Sequence, residues 1–197
     1  MCPGPTVVLA SASERRRALL ADLGVSFRCV SADIDESRRP GEPPRDLVRR
    51  LAEAKARAVA VRETDADLVL GADTIAVAGR EILGKPADRE DARRILRLIS
   101  GDRHRVLTGV ALLDVARGST ITDVVETGVL MRPLSDREID AYVESGEADG
   151  KAGAYAIQET ADRFVTSLDG SFTNVVGLPL ERLREILEPY GLGEEKS

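Results

Sequence analysis

Between Leu68 and Ala78 the chain reads Leu-Val-Leu-Gly-Ala-Asp-Thr-Ile-Ala-Val-Ala, an apolar stretch broken only by Gly71, Asp73 and Thr74. A run of this kind, closed by a Gly79-Arg80 turn and a return from Ile82 to Gly84, predicts one long buried strand and a short second arm. Upstream, Thr6 to Ala10 predicts a buried strand that hands over at Ser11-Ala12-Ser13 to a helix ending near Gly24. Val25 to Ser31 reads as another strand, and Asp33 to Pro44 as a polar loop with three prolines. Leu47, Leu51, Ala54, Ala58 and Val61 recur at spacings of three and four, which marks an amphipathic helix over Asp46 to Arg62.

Downstream of the long strand, Asp88 is placed to cap a helix through Ile99, with Glu90 and Asp91 in its first turn and Gly101 beyond its end. Arg105 to Val115 and Thr120 to Leu130 alternate about Ala116-Arg117-Gly118-Ser119 as an antiparallel pair. Ser135 and Glu138 form a capping box for a helix to about Ser145. Gly146 to Gly177 holds only short apolar islands among Gly, Ser and Thr, and Leu180 to Leu187 predicts a closing helix. With no internal repeat or linker, residues 1–197 are expected to form one domain. Helices interleaved with isolated strands and hairpins predict an α/β architecture with a mixed sheet.

The 197 residues, 43% hydrophobic and 31% charged, are ordinary for a globular chain and exclude disorder, collagen and coiled coil. With 28 basic and 34 acidic residues the net charge is −6, so any polyanion bound is expected to be small and held in a local basic pocket, not nucleic acid. Two cysteines, Cys2 and Cys29, are too few for a disulfide scaffold. No apolar run approaches the roughly 20 residues of a membrane span, and no basic segment followed by a long apolar one opens the chain. A cytoplasmic location without membrane attachment is the expectation. Aromatic residues make up 3% with no Trp, which argues against a base-stacking platform.

Several residue groups admit both a chemical and a plain structural reading. Ser11, Ser13, Arg15, Arg16 and Arg17 gather at a helix N-terminus, where free backbone N–H groups, the dipole and guanidinium groups suit a polyphosphate. The plain alternative is a Ser11–Glu14 capping box beside a solvated arginine face. Asp73, inside a buried strand, is costly without a metal, a cation or a proton-transfer task. It is equally readable as a turn aspartate bonded to its own backbone beside Gly71. Lys55 flanks the apolar stripe of its helix and can simply snorkel, Lys85 can be a plain loop lysine, and Asp35-Glu36 plain loop acids. His104, the only histidine, has no partner set for a triad and reads as structural.

Gly146 to Lys151 ends in Gly-Lys but is one residue short of a Walker loop, and Ala152 replaces the hydroxyl residue that would hold magnesium. There is no G-x-G-x-x-G after the first strand, no G-x-S-x-G elbow and no paired C-x-x-C, so dinucleotide, serine-hydrolase and structural-zinc readings lose support.

Taken in order, Leu9-Ala10-Ser11-Ala12-Ser13-Glu14-Arg15-Arg16, Ala54-Lys55-Ala56, Gly71-Ala72-Asp73-Thr74, Leu83-Gly84-Lys85-Pro86, Ser100-Gly101-x-x-His104 and Thr108-Gly109-Val110 resemble the Maf family of nucleoside triphosphate pyrophosphatases. Lys151-Ala152-Gly153-Ala154-Tyr155-Ala156-Ile157-Gln158 and Asn174-Val175-Val176-Gly177-Leu178-Pro179-Leu180 complete the pattern. Each motif alone is weak, but the ordered set is specific and covers essentially the whole chain. The resemblance implies an elongated mixed sheet flanked by helices, in two lobes with a central cleft, similar to the inosine triphosphate pyrophosphatases.

It also implies cleavage between the α and β phosphates of a nucleoside triphosphate to a monophosphate and pyrophosphate, with a divalent cation such as Mg2+ or Mn2+, in a homodimer. Asp73 is then the proton acceptor, and Glu36 and Asp73 the metal ligands. Ser11, Ser13, Arg15, Arg16, Lys55 and Lys85 are then phosphate-binding. Arg16, Thr74 and Gln158 match the positions of the subgroup acting on dTTP and UTP, whereas the subgroup preferring 7-methyl-GTP differs between Tyr155 and Gln158. Glu14 stands where Pro is usual, and either residue suits a first helical turn. Glu159 stands where Gly often follows, which bears on base preference, modified nucleotides included. The competing function is a nucleotide-binding regulator of septum formation in cell division without turnover. A carboxylate at Asp73 disfavours it, since negative charge beside phosphates weakens plain binding.

Overall fold

An apolar strand followed at once by a capped helix opens the structure: β1 (Val7–Leu9) is fully buried, and Ser13 caps α1 (Glu14–Asp22) by accepting from the Arg16 N–H. This computed structural model describes residues 4–158 and 160–193 and comprises two units. The first runs to Asp73 and adds Thr108–Val125 and the residues from Gly177. The second holds Thr74–Leu107 and Glu126–Val176.

In the first unit β1 pairs in parallel with β2 (Phe27–Cys29) on one side and with Leu68, Val69 and Leu70 of β3 (Leu68–Ala78) on the other. Parallel pairing follows from the helical crossovers, α1 after β1 and α2 (Pro44–Ala60) after β2. α2 starts two residues before the expected Asp46, because Pro44 suits the first helical turn. Its apolar face packs with small residues, Ala52, Ala56 and Val59, against Val8, Ala10, Val69 and Ala111. A Cβ on Gly71 would lie 2.1 Å from the Ala52 carbonyl oxygen, and one on Gly109 would lie 2.3 Å from that of Val48. Both glycines therefore let helix and sheet backbones touch. α6 (Leu180–Leu187) completes this unit with Leu180, Leu183, Ile186 and Leu187 buried.

In the second unit β4 (Glu81–Leu83) returns antiparallel to β3, with Ala76 opposite Leu83. Asp88 caps α3 (Arg89–Ile99), its carboxylate accepting from Asp91 N at 2.8 Å, and Ser135 with Glu138 forms the expected capping box of α4 (Asp136–Glu144). The two helices share a ladder of ion pairs in which Arg89, Arg93 and Arg97 meet Glu144, Asp140 and Asp136. β7 (Val165–Asp169), antiparallel to β6 (Ser119–Met131), was not expected: most of its residues are exposed, so it lacks the apolar alternation that announces a strand. After it, α5 (Phe172–Val176) places Asn174 so that its amide donates to the Val106 carbonyl at 3.0 Å and to Thr127 Oγ1 at 2.9 Å.

Hydrogen-bonded neighbours follow the order β2-β1-β3-β5-β6-β7, with β4 on β3 and β5 spanning Arg103–Asp114. Parallel and antiparallel pairs in this sheet, with helices interleaved, make the mixed α/β fold expected from the sequence. No helix among the described residues is long and apolar enough to cross a membrane. Cys29 is a free, exposed thiol, and Cys2 lies outside the described residues.

Candidate active site

In the first unit the middle of β3, the middle of α2 and the loop before α2 bring three expected residues together. Asp73 is buried near the centre of β3, and Lys55 is buried on α2. Lys55 Nζ donates to Asp73 Oδ1 at 2.6 Å and forms an ion pair with Glu36 Oε1 at 2.9 Å. Neither plain reading of these two residues holds: Asp73 is no turn aspartate and Lys55 does not snorkel. Glu36, in the polar loop, is half-exposed but is held through the same ammonium.

The plain alternative of a Ser11–Glu14 capping box does not form: Ser13 is the N-cap, and buried Ser11 accepts from Ser13 N at 3.2 Å through its Oγ. Ser11 instead braces Arg16, whose guanidinium also donates from Nε to the Gly177 carbonyl at 2.8 Å. Burial pulls the Arg16 guanidinium downward, Asp73 pulls it back up, and Arg15 and Glu36 add smaller opposed effects, so these charges share one electrostatic neighbourhood. Arg15 is half-buried, whereas Arg17 turns to solvent and pairs with exposed Glu14 at 2.6 Å. The arginine run thus divides, with Arg17 alone on the solvated face.

The second unit begins at Thr74, half-buried on β3, and also carries Lys85 and Gln158, both exposed. Lys85 follows Gly84, whose carbonyl accepts from Gly153 N at 3.2 Å. His104 is buried, and its Nε2 lies 2.8 Å from the Tyr155 hydroxyl. Burial holds its imidazole down to about 4, against a weaker upward pull from Asp102, so the ring is neutral at ordinary pH. The sequence reading of His104 as structural missed Tyr155, and no local signal links two residues 51 positions apart. Glu159 lies outside the described residues.

Among the described residues no group of three or more His, Cys, Asp or Glu side chains is placed to hold a metal ion. Glu36 and Asp73 nevertheless converge on one ammonium, which is the paired hard-oxygen donor set that Mg2+ uses when substrate phosphates and water complete its shell.

The sheet and its helices define a known α/β architecture: the structure is similar to the Staphylococcus aureus Ham1 protein, with a TM-score of 0.50 and 13% identity over 93% of this chain and 98% of that one. The family is more specific, since the model of the Maf-like protein family matches residues 6–190 and the chain belongs to that family. It is 52% identical, over 95% of both chains, to the dTTP/UTP pyrophosphatase of Anaeromyxobacter dehalogenans strain 2CP-1. Similarity to the dTTP/UTP pyrophosphatase of Geobacter sulfurreducens is 50% identity over 94% of this chain and 96% of the relative. That to the Pelotomaculum thermopropionicum enzyme of the same name is 48% over the same shares.

Proposed function

We propose that this protein is a nucleoside triphosphate pyrophosphatase that hydrolyses dTTP and UTP to the monophosphate and pyrophosphate, using Mg2+ or Mn2+. The observation that carries the reading is the buried Lys55–Asp73 pair joined by Glu36, found in a chain half identical to dTTP/UTP pyrophosphatases along nearly its full length.

Lys55 holds Asp73 Oδ1, which fixes the carboxylate and leaves Oδ2 to take the proton of the attacking water. The water oxygen bonds to the α-phosphorus, the bond from that phosphorus to the bridging oxygen breaks, and its electron pair leaves with pyrophosphate. Ser11 and Ser13 position the phosphates, and Arg15, Arg16, Lys55 and Lys85 neutralise the charge that develops on them. Glu36 and Asp73 would hold the divalent cation, which when bound supplies Lewis-acid polarisation of phosphate oxygens. Gln158 carries an amide donor and an acceptor that match the O4 and N3–H edge of uracil or thymine, and Arg16 and Thr74 shape that choice. A homodimer working in the cytoplasm belongs to the same proposal through the family resemblance, and equilibrium sedimentation measures the association state.

The test is a pyrophosphate-release screen of purified protein with Mg2+ or Mn2+ across UTP, dTTP, CTP, GTP and 7-methyl-GTP, for wild type and Gln158→Glu. Higher kcat/KM for UTP and dTTP, weakened by the variant, is the expected outcome, because a site with paired polar groups rejects analogues that leave them unpaired. A wild-type preference for 7-methyl-GTP, or an unchanged profile in Gln158→Glu, defeats the assignment.

A further inference from the structure

The segment Lys151 to Gln158 holds its shape against local preference. Ala154 has φ of 60°, a left-handed conformation that costs a side-chain-bearing residue free energy, and Gly153 before it has φ of 75°. Such a conformation persists only where surrounding contacts over-determine it. The contacts come from four directions. Gly153 N donates to the Gly84 carbonyl at 3.2 Å, and a Cβ on Gly153 would already meet the Ala76 Cβ at 3.0 Å. Ala156 N donates to the Tyr142 hydroxyl at 3.2 Å. Tyr155, buried between these two anchors, sends its hydroxyl to His104 Nε2, the rings meeting edge to face at 5.4 Å.

The His104–Tyr155 contact is the anchor with a price. His104 Nδ1 is buried and has no hydrogen-bond partner among the described residues. A buried polar atom without a partner is unfavourable whichever tautomer is present, and an aliphatic side chain would fill the same space without that penalty. What the imidazole supplies that an aliphatic chain cannot is a fixed polar point for the Tyr155 hydroxyl. Tyr155 stands three residues before Gln158 in the same segment. Through the Gly153–Gly84 bond that segment is also tied to the residue preceding Lys85.

We propose that His104 and Tyr155 are positioning residues for base selection: their buried bond pins the 151–158 segment and so sets where Gln158 meets the base. This rests on the reading that Gln158 recognises the base. The pair touches no reacting atom. Its loss therefore raises KM for the preferred base and lowers the selectivity ratio, while kcat on that base falls much less.

The experiment compares wild type, Tyr155→Phe, His104→Leu, His104→Gln, Gln158→Ala and the Tyr155→Phe/Gln158→Ala double variant, each first shown to be folded by near-ultraviolet circular dichroism. The readouts are KM and kcat for UTP and GTP. Tyr155→Phe and His104→Leu are expected to lower the UTP-to-GTP ratio of kcat/KM by about tenfold, chiefly through KM. His104→Gln, which keeps a polar group, recovers most of the ratio. In the double variant Tyr155→Phe adds no further loss beyond Gln158→Ala, the non-additivity expected of residues acting through one another. If Gln158→Ala collapses the ratio while Tyr155→Phe and His104→Leu keep it at the wild-type value, the pair is only structural and the proposal is overturned with the base reading intact. If Gln158→Ala leaves the ratio unchanged, the base reading itself fails and the proposal falls with it. Should Tyr155→Phe not fold, the contrast between His104→Leu and His104→Gln decides alone: equal ratios overturn the proposal.

Discussion

Lys55 Nζ lies 2.6 Å from Asp73 Oδ1, and both side chains are buried, so the strand carboxylate is neutralised by an ammonium from a helix 18 residues away in sequence. Removing one partner of such a pair leaves an uncompensated buried charge, which costs about 3–5 kcal/mol. Lys55→Met is therefore expected to destabilise the fold more than Asp73→Asn, whose amide still accepts from Lys55. Combining the two should restore stability relative to Lys55→Met alone in urea titrations. Asp73→Asn should also lower single-turnover hydrolysis by about 10²- to 10⁴-fold with nucleotide affinity largely kept. Near-wild-type turnover would remove Asp73 from the mechanism and reopen plain sequestration of nucleotide.

The divided arginine run makes the proposed phosphate contacts separable from surface charge. Arg15→Ala, Lys55→Ala and Lys85→Ala should each lower kcat/KM by similar factors for every base, since contacts to phosphate carry no base information. Arg17→Ala should leave kcat/KM within about twofold, because its partner Glu14 is exposed and such pairs contribute little. A reordered base preference in any of the first three would move that residue out of the phosphate contacts.

Gly71→Ala tests the close approach of α2 to β3. The new Cβ would stand 2.1 Å from a backbone oxygen, and backbone cannot yield as a flexible side chain can. Overpacking typically costs about 1–3 kcal/mol and occasionally more, and a clash with rigid backbone belongs at the upper end of that range. Gly84→Ala, where no atom lies within 4 Å of the added carbon, should change stability by less than about 1 kcal/mol. Equal denaturation midpoints for the two variants would show that helix and sheet do not touch at Gly71.

His104 gives stability a pH dependence of defined sign. Its folded value of about 4 lies below the usual 6.5, so between these values the unfolded chain binds the extra proton. Stability attributable to the neutral ring is complete above about pH 6.5 and is lost as pH falls toward 4, on the order of 3 kcal/mol. Glu42 and Glu138, held near 2 by Arg50 and Arg132 respectively, lose their contributions at lower pH, below the usual 4.5. Chemical denaturation at pH 7, 5.5 and 4.5 should therefore show a fall in wild type that is absent in His104→Gln. A parallel fall in both would assign the loss to other groups.

Most of the local structure is legible in the chain itself. The Asp88 cap, the Ser135–Glu138 capping box, the long strand over Leu68–Ala78 and its hairpin arm all follow from residue type and spacing. β7 escapes because exposed Thr166 and Ser167 stand side by side and break any apolar alternation, and the Ser11–Glu14 box fails because Ser13 offers a hydroxyl nearer the helix start. The ordered motifs carry both the family and the candidate residues within the sequence itself.

Periodicity, capping and turn chemistry are properties of residues a few positions apart, and for that reason the sequence by itself determined the elements and the family. Which reading of Lys55 and Asp73 applies depended on α2 lying against β3 closely enough for the Lys55 ammonium to reach Asp73, an approach that Gly71 allows beside Ala52, while Glu36 reaches the same ammonium from the loop before α2. Only the tertiary structure decided this, as it decided the meeting of His104 with Tyr155. Both contacts join residues far apart in the chain, and they form where strand register and helix packing bring distant backbones together.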